Sequence, residues 1–288
     1  MERPASLIRA TRLNTQDRIP ELRPLAGKCV CLFGVGAIGA PICLELARAG
    51  VDEIRIMDHD FLDPGTIARW PLGLSQAGAP KVRALEEFVH ANYPTTTIKP
   101  YEHCLGSILR DGMNEGDYVE QFVDGSSLVI DATAETGVQN FTSQLCRELG
   151  IPFISTEARN GAWGGVICRI LPGVTRGCWH CYRAALNVEK ASFRIQDAPA
   201  KAGDDVQPVG CADPTFTGAG FDLNFVSMMT VRIAVSTMLG GIENAYPKTD
   251  ADVTIIKLRE DDGRFCVPEF KGYPLQQQDV CNYCSPAK

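Results

Sequence analysis

The sequence predicts an α/β fold: a Rossmann-like, doubly wound, mainly parallel sheet carrying a four-cysteine zinc clip. Three observations predict the sheet. Cys29–Phe33 is a short apolar run that stops at a glycine, the pattern of a strand buried on both faces. Gly34-x-Gly36-x-x-Gly39 follows and opens a helix over Ala37–Ala49, apolar at Ile38, Ile42, Leu44, Leu46 and Ala47, with Gly50 as its stop. Glu53–Met57 then reads as a second strand ending at Asp58. Strand, glycine turn, helix and strand make up the βαβ unit of a doubly wound sheet.

The remaining elements follow in order. Residues 1–27 are polar and basic and read as an N-terminal arm with a short helix. Lys81–Ala91 places Val82, Leu85, Phe88 and Val89 at helical spacing. Thr95–Pro100 is a candidate strand, and Ser127–Ile130 a buried one ending at Asp131. Val138–Leu149 is a helix stopped by Gly150, followed by strands at Pro152–Ser155 and Gly165–Leu171. The stretch from about 187 to 212 is rich in Lys, Asp, Ala and Pro and reads as a crossover loop. A helix over Phe221–Leu239 and a strand over 253–258 complete the pattern. Residues 28–288 are thus expected to form one domain with that loop and a C-terminal tail.

Composition narrows the function. A net charge of -7 argues against a nucleic-acid binder, because no basic surplus displaces counterions. No apolar run reaches the roughly 18 residues of a membrane span. The start, Met1-Glu2-Arg3-Pro4, lacks the apolar stretch of a secretory signal. Twelve cysteines without an export signal point to a reducing, cytoplasmic setting, where paired cysteines bind metal more often than they form disulfides.

The glycine turn suits a nucleotide phosphate. Gly34 permits the turn, Gly36 lets the backbone approach the anion, and Gly39 lets helix and strand pack closely. The helix start adds free N–H groups. Asp58 stands where an acidic residue reaches ribose hydroxyls. These residues alone are also compatible with NAD or FAD chemistry and, less readily, with a tight turn that binds no nucleotide.

The following stretch is more specific. Asp58-His-Asp60 is followed by Arg69, then by Pro80-Lys81-Val82 at a helix start, and Val129-Ile130-Asp131-Ala132-Thr133 ends a strand. In this order the motifs resemble the ThiF/MoeB and ubiquitin-activating-enzyme superfamily, over roughly residues 20–288. The resemblance implies ATP-dependent adenylation of the C-terminal carboxylate of a small β-grasp protein. That partner is a ubiquitin-like or sulfur-carrier protein ending in glycine. Arg69 and Lys81 are expected to clamp phosphates, Asp58 and Asp60 to line the nucleotide site, and Asp131 to contact Mg²⁺ directly or through water. The chain departs from the family at Thr66, where asparagine is usual, and at Thr15, which replaces the second arginine of an N-terminal element beginning at Arg12. Arg18 is the substitute candidate. A homodimer is expected by resemblance.

Cys178-Trp-His-Cys181 and Cys281-Asn-Tyr-Cys284 supply four thiolates for a structural Zn²⁺, which the resemblance also places there. A thioredoxin-like role is the lesser alternative. His180 is expected to be exposed and not a ligand. Cys211 precedes the Phe221–Leu239 helix and matches the loop cysteine of compact family members, which implies a thioester step with a conjugating enzyme downstream. The alternative is an incidental cysteine, as in thiamine- or molybdopterin-type sulfur-carrier activators. Cys29, Cys31, Cys43, Cys146 and Cys168 read as core, and Cys104 and Cys266 as loop residues. His59 stands between Asp58 and Asp60 and is a candidate for the pocket wall. Rival functions are an adenylating enzyme for a peptide or tRNA carboxylate, an NAD(P)-dependent oxidoreductase, and a nucleotide-binding scaffold. The oxidoreductase lacks a Tyr-x-x-x-Lys constellation.

Overall fold

A computed structural model describes residues 18–109, 112–187, 198, 217–279 and 281–284. Eight strands form one sheet: β1 (Cys29–Phe33), β2 (Glu53–Met57), β3 (Thr97–Tyr101), β4 (Leu128–Asp131), β5 (Phe153–Ala158), β6 (Gly164–Ile170), β7 (Val253–Arg259) and β8 (Phe265–Tyr273). Their order across the sheet is β3-β2-β1-β4-β5-β6-β7-β8. β3 through β5 are mutually parallel, and β6, β7 and β8 each join antiparallel. The fold is the expected Rossmann-like α/β sheet.

Sequence parity explains the layering. In β1, Val30 and Leu32 join one core while Cys31 and Phe33 join the other. β4 divides the same way, with Leu128 and Ile130 against Val129. The first core is covered by α1 (Gly39–Ala49), α2 (Lys81–Asn92) and the α6 helix (Gly220–Leu239). The second is covered by α3 (Glu115–Val123), α4 (Thr136–Leu149) and α5 (Trp179–Asn187). Both faces being covered, β1 and residues 128–130 of β4 are apolar on successive positions and not alternating. No helix among the described residues is long and apolar enough to cross a membrane.

The chain leaves β1 toward β2 and β3 on one side, and returns to lay β4 on the other. A crevice therefore opens at the carboxyl ends of β1 and β4, where open α/β sheets bind ligands. α1 and α4 stop at Gly50 and Gly150 as expected. Of the expected N-terminal arm, Pro20–Leu25 forms a 3₁₀ turn that buries Leu25, and residues 1–17 lie outside the described residues. Most of the expected crossover loop also lies outside them.

Three elements were not legible. α3 is short and contains Gly116, and it forms because the Asn114 side chain accepts from the N–H groups of Gly116 and Asp117 while Val119, Phe122 and Val123 are buried. α5 begins inside the first Cys-x-x-Cys knuckle. β8 carries Pro268 and charges, which an edge strand paired only with β7 tolerates. Cys266, expected in a loop, is a buried residue of β8.

Candidate nucleotide site and four-cysteine cluster

The β1–α1 turn is fixed by sterics. Gly34 sits at φ 77°, and a Cβ there would lie 3.0 Å from the Thr133 backbone. A Cβ on Gly39 would lie 1.9 Å from the Gly34 carbonyl oxygen, so this position admits only glycine in this packing. Gly36 differs, because a Cβ there meets nothing within 4 Å. Gly36 faces open space at the mouth of the crevice, which is the room a phosphate needs.

Two side chains pin the turn. Asp58 Oδ2 accepts the Val35 N–H at 2.8 Å, and its Oδ1 accepts the Asp60 N–H at 2.9 Å. Trp70 Nε1–H donates to the Val35 carbonyl at 2.8 Å. Each carboxylate oxygen of Asp58 keeps a further lone pair, so a ribose hydroxyl can still bind there. Trp70 was missed in the sequence. Its only signal was a large aromatic next to Arg69, in a segment without periodicity.

The crevice has two adjoining clefts of about 250 Å³ and 280 Å³. They share Gly36, Lys81, Ala132 and Thr133. Thr66, Arg69 and Trp70 line the first, while Asp58, His59, Asp60, His103, Cys104 and Leu105 line the second. The half-buried Arg69 has its pKa pushed down by burial, yet guanidinium stays charged throughout the ordinary pH range. Lys81 opens α2, donates its backbone N–H to the Asp60 carbonyl at 2.9 Å, and puts Nζ 2.7 Å from Asp60 Oδ2. Thr66 Oγ1 donates to the Asp63 carbonyl at 2.7 Å, so toward the cleft it offers only acceptor lone pairs. His59 is exposed, 3.4 Å from Asp60 Oδ1.

Asp131, the expected Mg²⁺ contact, ends β4. It is 0% exposed. Its Oδ1 accepts the Thr133 N–H at 3.0 Å and the Thr133 hydroxyl at 2.6 Å, and the Thr142 hydroxyl lies 2.8 Å from Oδ2. Burial pushes its pKa up to about 6, against the downward pull of these bonds. Thr133 fills Oδ1 while Oδ2 keeps one lone pair beyond Thr142, so in this arrangement Asp131 shapes the Thr133 turn and could reach a cation only from a buried oxygen. Cys211, Arg12 and Thr15 lie outside the described residues, and Arg18 is exposed.

His103 and Leu105 are further wall residues the sequence did not flag, and Cys104, expected in a loop, stands between them. The loop carrying them is braced by Glu115, whose Oε1 lies 2.8 Å from His103 Nε2 and accepts the Gly106 N–H at 2.7 Å.

At the far side of α4, four sulfurs converge. Cys178 Sγ lies 3.9 Å from Cys181 Sγ and 3.6 Å from Cys281 Sγ, and Cys181 Sγ lies 3.5 Å from Cys284 Sγ. A tetrahedron with metal–sulfur bonds of about 2.3 Å has sulfur–sulfur edges of about 3.8 Å. The cluster therefore fits one Zn²⁺. His180 is half-buried and not exposed as expected: its ring stacks on Tyr283 at 3.7 Å, and Nε2 lies 3.0 Å from Gln144 Nε2.

The model of the ThiF family matches residues 13–247. The chain belongs to the ThiF family. Among curated proteins, the uncharacterized protein y4oA of Sinorhizobium fredii is 32% identical over 97% of this chain and 47% of its own length. Ubiquitin-like modifier-activating enzyme 5 of Dictyostelium discoideum is 28% identical over 53% of this chain and 40% of its own length. The chain thus spans about half the length of the curated relatives it matches. The crystal structure of Escherichia coli MccB with ATP has a TM-score of 0.65 at 14% identity, covering 95% of this chain and 72% of MccB. The structure of the microcin C7 biosynthetic enzyme MccB with N-formylated MccA has a TM-score of 0.66 at 13% identity, covering 95% and 73%. At such identity the likeness is one of fold.

Proposed function

We propose that this ThiF-family chain adenylates the C-terminal carboxylate of a small ubiquitin-like protein, using ATP. One observation carries the reading: Gly36, Arg69 and Lys81 meet at one crevice at the carboxyl ends of β1 and β4. An open glycine backbone takes any nucleotide phosphate, and the two cations beside it suit a triphosphate, which carries more charge than the pyrophosphate of a dinucleotide.

The chemistry follows from that placement. A carboxylate oxygen attacks the α-phosphorus, the bond to the α,β-bridging oxygen breaks, and pyrophosphate leaves with the electron pair. Negative charge spreads over phosphate oxygens, and the work of the chain is to meet it with fixed cations and N–H dipoles. Arg69 and Lys81 are assigned the phosphates. Asp58, in the adjoining cleft, is assigned the ribose. Mg²⁺, when bound with ATP, would neutralise phosphate charge, and Asp58 and Asp60 face the cleft where it would lie.

A thioester step is the second part of the proposal. The Cys211 thiolate attacks the carbonyl carbon of the adenylate and AMP leaves, and a separate conjugating enzyme takes the partner onward. The four-cysteine cluster, holding zinc, ties the tail to α5. A homodimer is proposed on the resemblance alone. The fold shared with MccB, solved with N-formylated MccA, is compatible with one alternative, a peptide carboxylate activated without a thioester. A sulfur-carrier protein is the other.

ATP–pyrophosphate exchange tests the reading. Exchange that depends on a glycine-ended β-grasp protein supports it. Exchange with a short unfolded peptide alone favours the alternative, and none with any carboxylate partner contradicts both.

A further inference from the structure

His180 and Tyr283 occupy the same place in their two knuckles, directly before the ligand candidates Cys181 and Cys284. Their rings are stacked with centroids 3.7 Å apart and planes 4° from parallel. The sulfurs of the cysteines they precede lie 3.5 Å apart. The stack is anchored outside the cluster. Gln144, on α4, has only donor hydrogens on Nε2, so His180 Nε2 accepts from it at 3.0 Å and the ring proton sits on Nδ1. Trp179 meets His180 edge-on at 5.5 Å, and the Arg183 guanidinium lies 5.5 Å over the Trp179 ring.

Nothing in the metal chemistry requires this stack. Four thiolates from two loops far apart in sequence can close on zinc without any aromatic pair, but they then lose the freedom of both loops on binding. We propose that the His180–Tyr283 stack, held by Gln144, is a metal-independent brace that presents the two knuckles as one preformed tetrahedral site. Tyr283 and His180 are then positioning residues. They carry no metal bond, and act by fixing the backbone from which Cys181 and Cys284 reach the ion. Outer-shell groups hydrogen-bonded to metal ligands change affinity about 10- to 100-fold, and a stack acting only through the backbone is expected at the lower end of that range.

The inference rests on zinc occupying the cluster, and the test separates the two. The zinc-loaded full chain is mixed with a chromogenic chelator and release is timed for the natural sequence, Tyr283→Phe, Tyr283→Leu and Gln144→Leu. Tyr283 is 47% exposed, so its replacements leave the core intact. Tyr283→Phe keeps the stack and releases zinc within about twofold of the natural rate, whereas Tyr283→Leu releases it about tenfold faster and Gln144→Leu falls between. In the metal-stripped chain, amide hydrogens of residues 281–284 exchange more slowly in the natural sequence than in Tyr283→Leu. Equal release from all four proteins overturns the brace, as does equal exchange in the stripped chains. Failure of any form to take up zinc overturns the metal site itself.

Discussion

Lys81 Nζ lies 2.7 Å from Asp60 Oδ2, with the lysine side chain 12% exposed and the carboxylate at the cleft wall. Lys81 also begins α2 by donating its backbone N–H to the Asp60 carbonyl. The two residues are joined twice, once through the main chain and once through the side chains. The ammonium is therefore aimed at the junction of the two clefts before any ligand arrives. A phosphate that recruits Lys81 must compete with Asp60.

That arrangement makes the pair behave as a unit. Lys81→Ala lowers the exchange rate by roughly a hundredfold, the scale of losing one cation from a charge-stabilising site. Asp60→Asn lowers it by about tenfold, because the ammonium loses its rest position. The double variant costs about as much as Lys81→Ala alone, not the product of the two. Steady-state exchange kinetics read the cycle, and additive losses would separate the residues.

The turn glycines separate folding from binding. Gly39→Ala places a methyl 1.9 Å from a backbone oxygen that cannot move away, and costs upwards of about 3 kcal/mol in thermal unfolding. Gly36→Ala meets nothing within 4 Å, and stability changes by less than about 1 kcal/mol. Nucleotide affinity falls in both. A stable Gly36→Ala protein that binds ATP normally would remove the phosphate from this turn.

Asp131 gives a pH signature. Burial pushes its pKa up to about 6 from the ordinary 3.8 of an aspartate, so the folded chain holds the proton more tightly. The stability this contributes is full below the unfolded pKa and is lost as pH rises through about 6. Asp131→Asn keeps acceptor and donor groups near Thr133 and Thr142 without the titration. Between pH 4 and 7 the natural chain loses Tm relative to Asp131→Asn by on the order of 3 °C. A gap that does not change with pH contradicts the buried, raised carboxyl.

Zinc removal gives a fourth readout. Metal analysis is expected to find about one zinc per chain, absent from Cys178→Ser and Cys281→Ser. Chelation lowers the Tm, since the ion ties the tail at Cys281 and Cys284 to α5 at Cys178 and Cys181. A chain whose Tm is indifferent to chelator has no structural metal there.

What the sequence revealed and what it withheld divide along physical lines. β1, β2, α1 and α4 were legible because apolar runs and helical spacing end at glycines or acidic residues. The cysteine pairs were legible because two short spacings leave few geometries for four thiolates. α3 was hidden because its helix rests on the Asn114 cap and three buried side chains, too few for a period to emerge. β8 was hidden because an edge strand need not alternate cleanly. At the site, Arg69 and Lys81 were found through motif order. Trp70 and Glu115 were not, because each acts on the backbone or on a loop, a relation visible only once the chain is folded. Asp131 is legible as a strand-end carboxylate, whereas its bonds to Thr133 and Thr142 are visible only in the folded chain.

The thioester proposal has its own measurement. Cys211→Ala keeps partner-dependent exchange within about twofold but forms no thiol-sensitive adduct with the partner protein. An adduct that persists assigns the nucleophile to another cysteine.

The most direct test of the central claim is a crystal structure with a non-hydrolysable ATP analogue and Mg²⁺. The account predicts phosphate oxygens over Gly36, within hydrogen-bond reach of Arg69 and of a Lys81 Nζ drawn off Asp60, with the ribose at Asp58. A crevice that stays empty at saturating analogue, or that takes up a nicotinamide ring in its place, would contradict it.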